Sequence, residues 1–299
     1  MMYKRIIGVV LLVACILLPL RAQVQESANE SDAKPADMKE SLFSWSASAL
    51  VTSNYIWRGL YVGGPSVQLD ATVSYAGVFA NVWWNIGASD WTFRSLNPEV
   101  DVAIGFSRWG LSVYYLHCFY FDRYADGTTS RFFDFRNNVQ GGTTGEWRVA
   151  YSHPVYTNNQ GWTTSVNGLC AFRTFGRDGY YEMKGEDTTG ELRRAYSTYL
   201  EVGVNQTFGH DWSLLTQVGI TPAKSLYTGY QGNFAVTLVG LKLTKSWNLN
   251  YGVLNAFANV MLQPWQVTKD NLILPIAQAG GQKLNLAVGA TWSIGMSKK

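Results

Sequence analysis

Three histidines are all that the chain offers as imidazole bases or ligands: His117 beside Cys118, His153 before Pro154, and His210 within Gly209-His210-Asp211. Nucleophilic catalysis needs a base within hydrogen-bond reach of the nucleophile, and a metal centre needs clustered ligands. His117 falls within a strand-like stretch, His153 reads as part of a short turn, and His210 as part of another. No His/Cys group has the spacing of a metal site. Gly141-Gly142 and Gly280-Gly281 lie in loops, with no strand-to-helix setting for a phosphate. The expectation is a protein without catalytic residues, metal or cofactor, and not an enzyme.

A second set of residues points to the chemistry of a lined passage. Arg58, Gln68, Asp70, Glu99, Asp101, Arg173 and Glu201, with Arg148 added, are charged or amide side chains set into otherwise apolar alternating segments. Phe79 and Trp83 share their parity. If these side chains turn toward the inside of a closed sheet, they form lumen or constriction candidates. Their mixed signs suit cross-strand pairing better than a single-sign ring that would select ions. Arg58 is expected to meet Gln68 and Asp70, which would either pin the first hairpin or narrow a bore. Phe79 and Trp83 either fill the interior or offer a face on which an apolar or sugar-like solute can stack.

The elements that would carry them are strands. Aromatics make up 14% of the 299 residues and charged residues only 15%, below the roughly 25% of an ordinary soluble protein. Mean hydropathy is nevertheless only −0.06. Beyond the N-terminus there is no run of about 20 apolar residues. Local alternation of lipid-facing and water-facing side chains reconciles these facts. Segments of suitable length run near 43–53, 66–75, 77–85, 98–107, 109–120, 146–153, 162–173, 196–207, 212–220, 232–245, 247–262 and 282–296. The expected fold is all-β: a closed antiparallel transmembrane β-barrel of about 12 strands over residues 43–296.

The connections alternate in length. Ala76-Gly77, Arg108-Trp109-Gly110, Gly209-His210-Asp211 and Ser246-Trp247-Asn248 read as tight turns, whereas 54–65, 86–97, 121–145, 174–195, 221–231 and 263–281 are long. Short turns at one rim and long loops at the other suit an outer-membrane barrel. Tryptophan gives a second indication: Trp45, Trp109, Trp162, Trp212, Trp247 and Trp292 fall toward the short-turn rim, and Trp57, Trp84 and Trp147 toward the other. Alternation places Leu284, Leu286, Val288, Ala290, Trp292 and Ile294 outward, and Val100, Val102, Ile104 and Phe106 likewise. It also places Tyr55 and Trp57 outward while Arg58 turns in.

Residues 1–22 read as a signal peptide, with Lys4 and Arg5 ahead of an apolar stretch and cleavage near Ala22. Leu12-Val13-Ala14-Cys15 also fits a lipoprotein cleavage site. Residues 23–42 are polar and acidic and read as a flexible periplasmic linker, too short for a plug domain or a secreted passenger. Loss of Lys4, Arg5 and Arg21 lowers the formal charge from +3 to zero, so nucleic acid is not an expected partner. The remaining Cys118 and Cys170 fall on strands expected to be fifth and seventh, not neighbours, and read as unpaired thiols.

Ser53-Asn54-Tyr55-Ile56-Trp57-Arg58-Gly59, followed by Gly64-Pro65-Ser66-Val67-Gln68 and then Asp70 to Tyr75 and Gly77 to Asn85, resembles the opening hairpin and aromatic third strand of the TorF-type porins. That family is of uncharacterised function. The resemblance covers about the first third of the chain and departs from the family at Tyr61 and Leu69. It implies an outer-membrane pore without naming a solute. Gly289-Ala290-Thr291-Trp292-Ser293-Ile294 resembles the terminal signal read by the barrel-assembly machinery, although Gly295 to Lys299 follow where an aromatic residue usually ends the chain. Outer-membrane phospholipases also have twelve strands, but they share a His followed closely by Ser and Asn, which no His here has. The expected function is a narrow passive channel for small solutes in the bacterial outer membrane. The alternative is a closed barrel serving as surface adhesin, receptor or structural protein. In that case Tyr124, Phe132, Phe133, Phe135, Tyr180 and Tyr181 of the two longest loops fold either inward as a constriction or outward to a partner.

Overall fold

A computed structural model describes residues 42–121, 129–135, 142–182, 191–230, 234–265 and 284–298. The expected signal peptide, nearly all of the expected linker and the lipoprotein alternative at Cys15 lie outside the described residues. In chain order the elements are β1 (Phe43–Thr52), β2 (Tyr55–Trp57), β3 (Leu60–Gly63), β4 (Ser66–Tyr75), β5 (Val78–Gly87), β6 (Glu99–Arg108), β7 (Leu111–Tyr120) and β8 (Thr143–Thr157). They continue with β9 (Thr163–Gly176), β10 (Gly179–Glu182), β11 (Glu191–Arg194), β12 (Thr198–Phe208) and β13 (Trp212–Thr221). After the 3-10 turn Leu226–Thr228 come β14 (Ala235–Leu249), β15 (Gly252–Leu262) and β16 (Leu284–Lys298).

Twelve of these strands close into one antiparallel barrel in the order β1, β16, β15, β14, β13, β12, β9, β8, β7, β6, β5, β4. The seam is continuous: β1 pairs with β16 from Phe43↔Lys298 to Thr52↔Gly289, and with β4 from Phe43↔Tyr75 to Thr52↔Ser66. The two short hairpins, β2–β3 and β10–β11, stand apart from the barrel sheet.

The faces are those of a wall between lipid and water. Ile104 is 62% exposed and Val288 59%, and Val73, Val82, Val149, Val202, Leu241 and Val260 are exposed beside them, whereas inward-facing Asn205, Asn285 and Ser165 are buried. A water-soluble barrel would reverse this, because exposed apolar surface costs roughly 25 cal/mol per Å² in water. The closed sheet and its apolar exterior make this a membrane-spanning barrel.

The tight turns owe their shape to left-handed backbone. Trp109 (φ 55°) precedes Gly110 (φ 78°), where an added Cβ would lie 2.2 Å from the Ser152 carbonyl oxygen. Two turns differ from expectation. Ser246, Trp247 and Asn248 lie inside β14, and the chain reverses at Asn250-Tyr251 before Gly252, whose φ of 135° disfavours any side chain. His153 and Pro154 also lie in a strand. β8 continues past them to Thr157 with a register shift between Pro154 and Tyr156, as a residue without an N–H requires. The reversal comes at 158–162, where Asn158 Oδ1 accepts hydrogen bonds from the backbone N–H groups of Gln160 and Trp162.

The wall gives a test. Ile104→Arg, at mid-height on the outward face, is expected to cost about 2–4 kcal/mol. Ser46→Arg, on the inward face, should cost only a fraction of that, as read from urea unfolding of the barrel refolded in lipid vesicles.

Candidate functional site

The interior of the long-loop half is built around a crossbar. After β1 ends at Thr52 the chain does not stay in the wall. β2 and β3 fold into the lumen as a hairpin, turning at Arg58 (φ 50°) and Gly59 (φ 84°). Two successive positive φ values suit a two-residue hairpin turn, and glycine is needed at the second because an added Cβ would lie 2.7 Å from the Thr237 carbonyl oxygen of β14. Asn285 Nδ2 of β16 donates to the Gly59 carbonyl at 2.9 Å. The hairpin tip therefore rests on β14 and β16 while its side chains reach β8, β9 and β12.

Arg58 is the far end of that reach. Its guanidinium donates to both oxygens of Glu146 on β8, at 2.7 and 2.9 Å, and to the Tyr227 hydroxyl. It is held between the rings of Trp57 and Tyr199, each with its centroid 4.7 Å away. Burial works against the charge, but the Glu146 carboxylate more than compensates and holds the Arg58 pKa above its ordinary value. Glu146, 2% exposed, also accepts from Arg148 Nε and has Arg173 Nε 3.8 Å away. Three guanidiniums thus converge on one carboxylate; the bidentate bond from Arg58 and the bond from Arg148 offset desolvation, while Arg173 Nε has no hydrogen-bond partner.

The 3-10 turn closes over this centre. Leu226, Tyr227 and Tyr230 pack with Leu60, Ala171 and Tyr199 in a buried cluster against which Trp57 and Tyr180 lean. Asp178, just beyond β9, accepts from the backbone N–H and hydroxyl of Ser197. Burial raises the Asp178 pKa despite Arg173 and those bonds.

A second group lies next to the first. Tyr55 packs at a tilt against Trp83, ring centroids 5.6 Å apart, and donates its hydroxyl to Glu99 at 3.1 Å. Asp101 stands directly opposite Cys118 across β6 and β7 on the inward face. The barrel thus gathers Arg58, Arg148 and Arg173 around Glu146, and Trp83, Glu99 and Asp101 around Tyr55. Glu201 joins the first group by accepting the Tyr199 hydroxyl. Phe79 stays apart, edge-on to Tyr114 at 5.7 Å.

Two expectations are corrected. Arg58 does not meet Gln68 or Asp70: Gln68 donates to Ser66 Oγ at 3.2 Å and Asp70 accepts from Asn81 Nδ2 at 2.8 Å. The hairpin carries Arg58 away from its own wall to the opposite one. Tyr55 and Trp57 point inward, not outward, because alternation counted from β1 lapses once the chain leaves the sheet. Glu146, Tyr199 and Tyr227 were not among the sequence candidates. Glu146 was findable, since it stands two residues before Arg148 and so shares its face.

The long loops divide. Tyr180 turns in to stack on Tyr230. Residues 129–135 lie on the outer wall: outward-facing His117 bonds to the Phe132 carbonyl oxygen through Nε2 at 2.8 Å, and its ring contacts Phe132 and Phe135. Phe133 packs edge-on to Phe132. Tyr124 and the side chain of Tyr181 lie outside the described residues.

No protein-family model and no curated protein matches the chain. Among solved structures it is similar to the COG4313 outer membrane channel from Pseudomonas putida F1, at 9% identity and a TM-score of 0.42 over 89% of this chain and 100% of that one. It is also similar to the NanC porin (10%, 0.40, 85% and 99%) and to Salmonella typhi OmpF in complex with daunomycin (9%, 0.36, 84% and 97%). At such identity and overlap the likeness says nothing of what passes through the barrel.

Removing the shared acceptor should be costly. Glu146→Ala leaves three guanidiniums crowded together and is expected to destabilise the barrel by about 3–5 kcal/mol. Arg58→Met, which leaves Glu146 with Arg148 and Arg173, should cost clearly less in the same urea titration.

Proposed function

We propose that the chain is a bacterial outer-membrane channel of narrow bore, of the TorF-type porin kind, that passes small solutes passively. On this reading residues 1–22 direct export, the barrel-assembly machinery inserts the barrel by its last strand, and outer-membrane lipid surrounds it.

The observation that carries the reading is the contrast between the two halves of the lumen. In the short-turn half many inward side chains are small and polar and keep partial exposure, among them Ser44, Ser46, Ser48, Thr72, Asn81, Ser152, Asn167, Gln217 and Thr291, while Phe79, Tyr114 and Leu116 pack on one stretch of wall and Ser165, Asn205 and Asn255 are buried. A barrel that served only as a wall would have this half packed as well, as eight-stranded barrels do. Among the described residues the backbone crosses the interior in the long-loop half, as a short hairpin and a 3-10 turn. The groups around Arg58 and Glu146 are then the constriction, and Gln68, Asp70 and Phe79 line the way past it. With positive and negative side chains paired, the constriction selects by size more than by charge.

The burial of Tyr199 and Tyr227 favours a second reading, a barrel closed at this level and acting as a receptor or structural protein. Single-channel recording separates the two. The unmodified protein in a planar bilayer should give small conductance steps, and replacing residues 55–63 by a short Gly-Ser link should enlarge them several-fold. Steps seen only after that replacement would support the closed barrel. Silence from both forms, with no swelling of sugar-loaded liposomes, sinks the channel reading.

A further inference from the structure

The Glu99–Asp101–Cys118 cluster in the lumen wall has no part in the proposed constriction, and its chemistry is distinct. Each residue offers one ligand atom, and the three atoms lie within 4.8 Å of one another. The register explains the grouping. Asp101 and Cys118 form a directly opposed pair, and Glu99 precedes Asp101 by two positions on the same inward face. Asn85 of β5 stands directly opposite Glu99.

Tyr55 and Tyr120 both bond to Glu99 and the Cys118 thiol bonds to Asp101, yet two buried oxygens nearby are left over. Asp101 Oδ1 and Asn85 Oδ1 are both buried without a hydrogen-bond partner, and Asn85 as a whole is only 1% exposed. Glu99, also buried, receives the Tyr55 hydroxyl. The charges of Arg148 and Arg173 reach this cluster, but both side chains are drawn to Glu146. Buried oxygens that lack donors are costly unless a cation or a proton is supplied.

The geometry points to a binding site for a divalent cation of zinc-like, borderline softness, held by Glu99, Asp101 and Cys118, with Asn85 across the strand pair from Glu99. The thiol decides the class of ion. Carboxylates alone would suit magnesium or calcium, whereas a sulfur ligand favours zinc and its neighbours. On binding, the Cys118 S–H bond breaks, its proton passes to solvent, and the thiolate donates an electron pair to the ion with no change of oxidation state. Asp101, less buried than its two companions, gives the route of entry from the lumen. This site stands whether or not the barrel conducts.

The test uses the full barrel in detergent, stripped with a chelator and titrated with Co²⁺ and then Zn²⁺. One equivalent of Co²⁺ should produce a thiolate-to-cobalt charge-transfer band that Zn²⁺ abolishes. Cys118→Ser should lose the band and Asp101→Asn should weaken Zn²⁺ binding at least tenfold. Cys170→Ser, on the outward face, should change neither. In the unsubstituted chain Zn²⁺ should slow alkylation of Cys118 several-fold, which needs no variant to fold. If the wild type gives no band and no protection, the site is refuted. It is equally refuted if both substitutions at the cluster leave binding unchanged.

Discussion

In hydrocarbon a backbone N–H or C=O without a partner costs several kcal/mol, and no water is present to relieve it. That constraint governs this chain. A sheet with a free edge could not be placed in lipid, so the first strand must find the last, and β1 runs beside β16 along its whole length. Closure then fixes much else. With twelve strands the interior is too wide for the wall's own side chains to fill throughout and too narrow for the open channel of a large porin. What occupies the interior becomes the variable that distinguishes one such barrel from another.

Here one occupant, among the described residues, is a short hairpin. Nine residues of hairpin cross the lumen and end on a guanidinium gripped by a carboxylate of the far wall. Directional, charge-assisted bonds suit that task better than apolar contact, because they fix the tip at one point in an interior that is otherwise polar. The rings of Trp57 and Tyr199 against Arg58 keep water from the pair, which strengthens it. The same arrangement concentrates buried charge and packing in a few residues of the long-loop half, while many inward positions of the other half carry small hydroxyl and amide side chains.

The wall was largely legible in the chain. Strand positions, the sorting of turns and loops, and the outward sets on β6 and β16 follow from local alternation, since a period of two residues is written within each segment. Where punctuation misled, the cause was local too: Ser-Trp-Asn looked like a turn but lay in strand, and Pro154 was absorbed by a register shift. The interior was less legible. Arg58 and Glu146 are 88 positions apart, and Arg58 and Tyr227 are 169 apart. No local rule pairs such residues. Loop composition was equally silent on direction: Tyr180 went inward and Phe132 and Phe135 lay on the outer wall.

By itself, the sequence determined the class of surface on each side of each strand, because that depends only on which residues alternate. The tertiary structure alone decided that the first hairpin leaves the wall, which carboxylate receives its arginine, and that two acids and a thiol come together on one face. Those outcomes depend on how a closed sheet staggers its strands and on what lies across its interior, distances that no segment encodes.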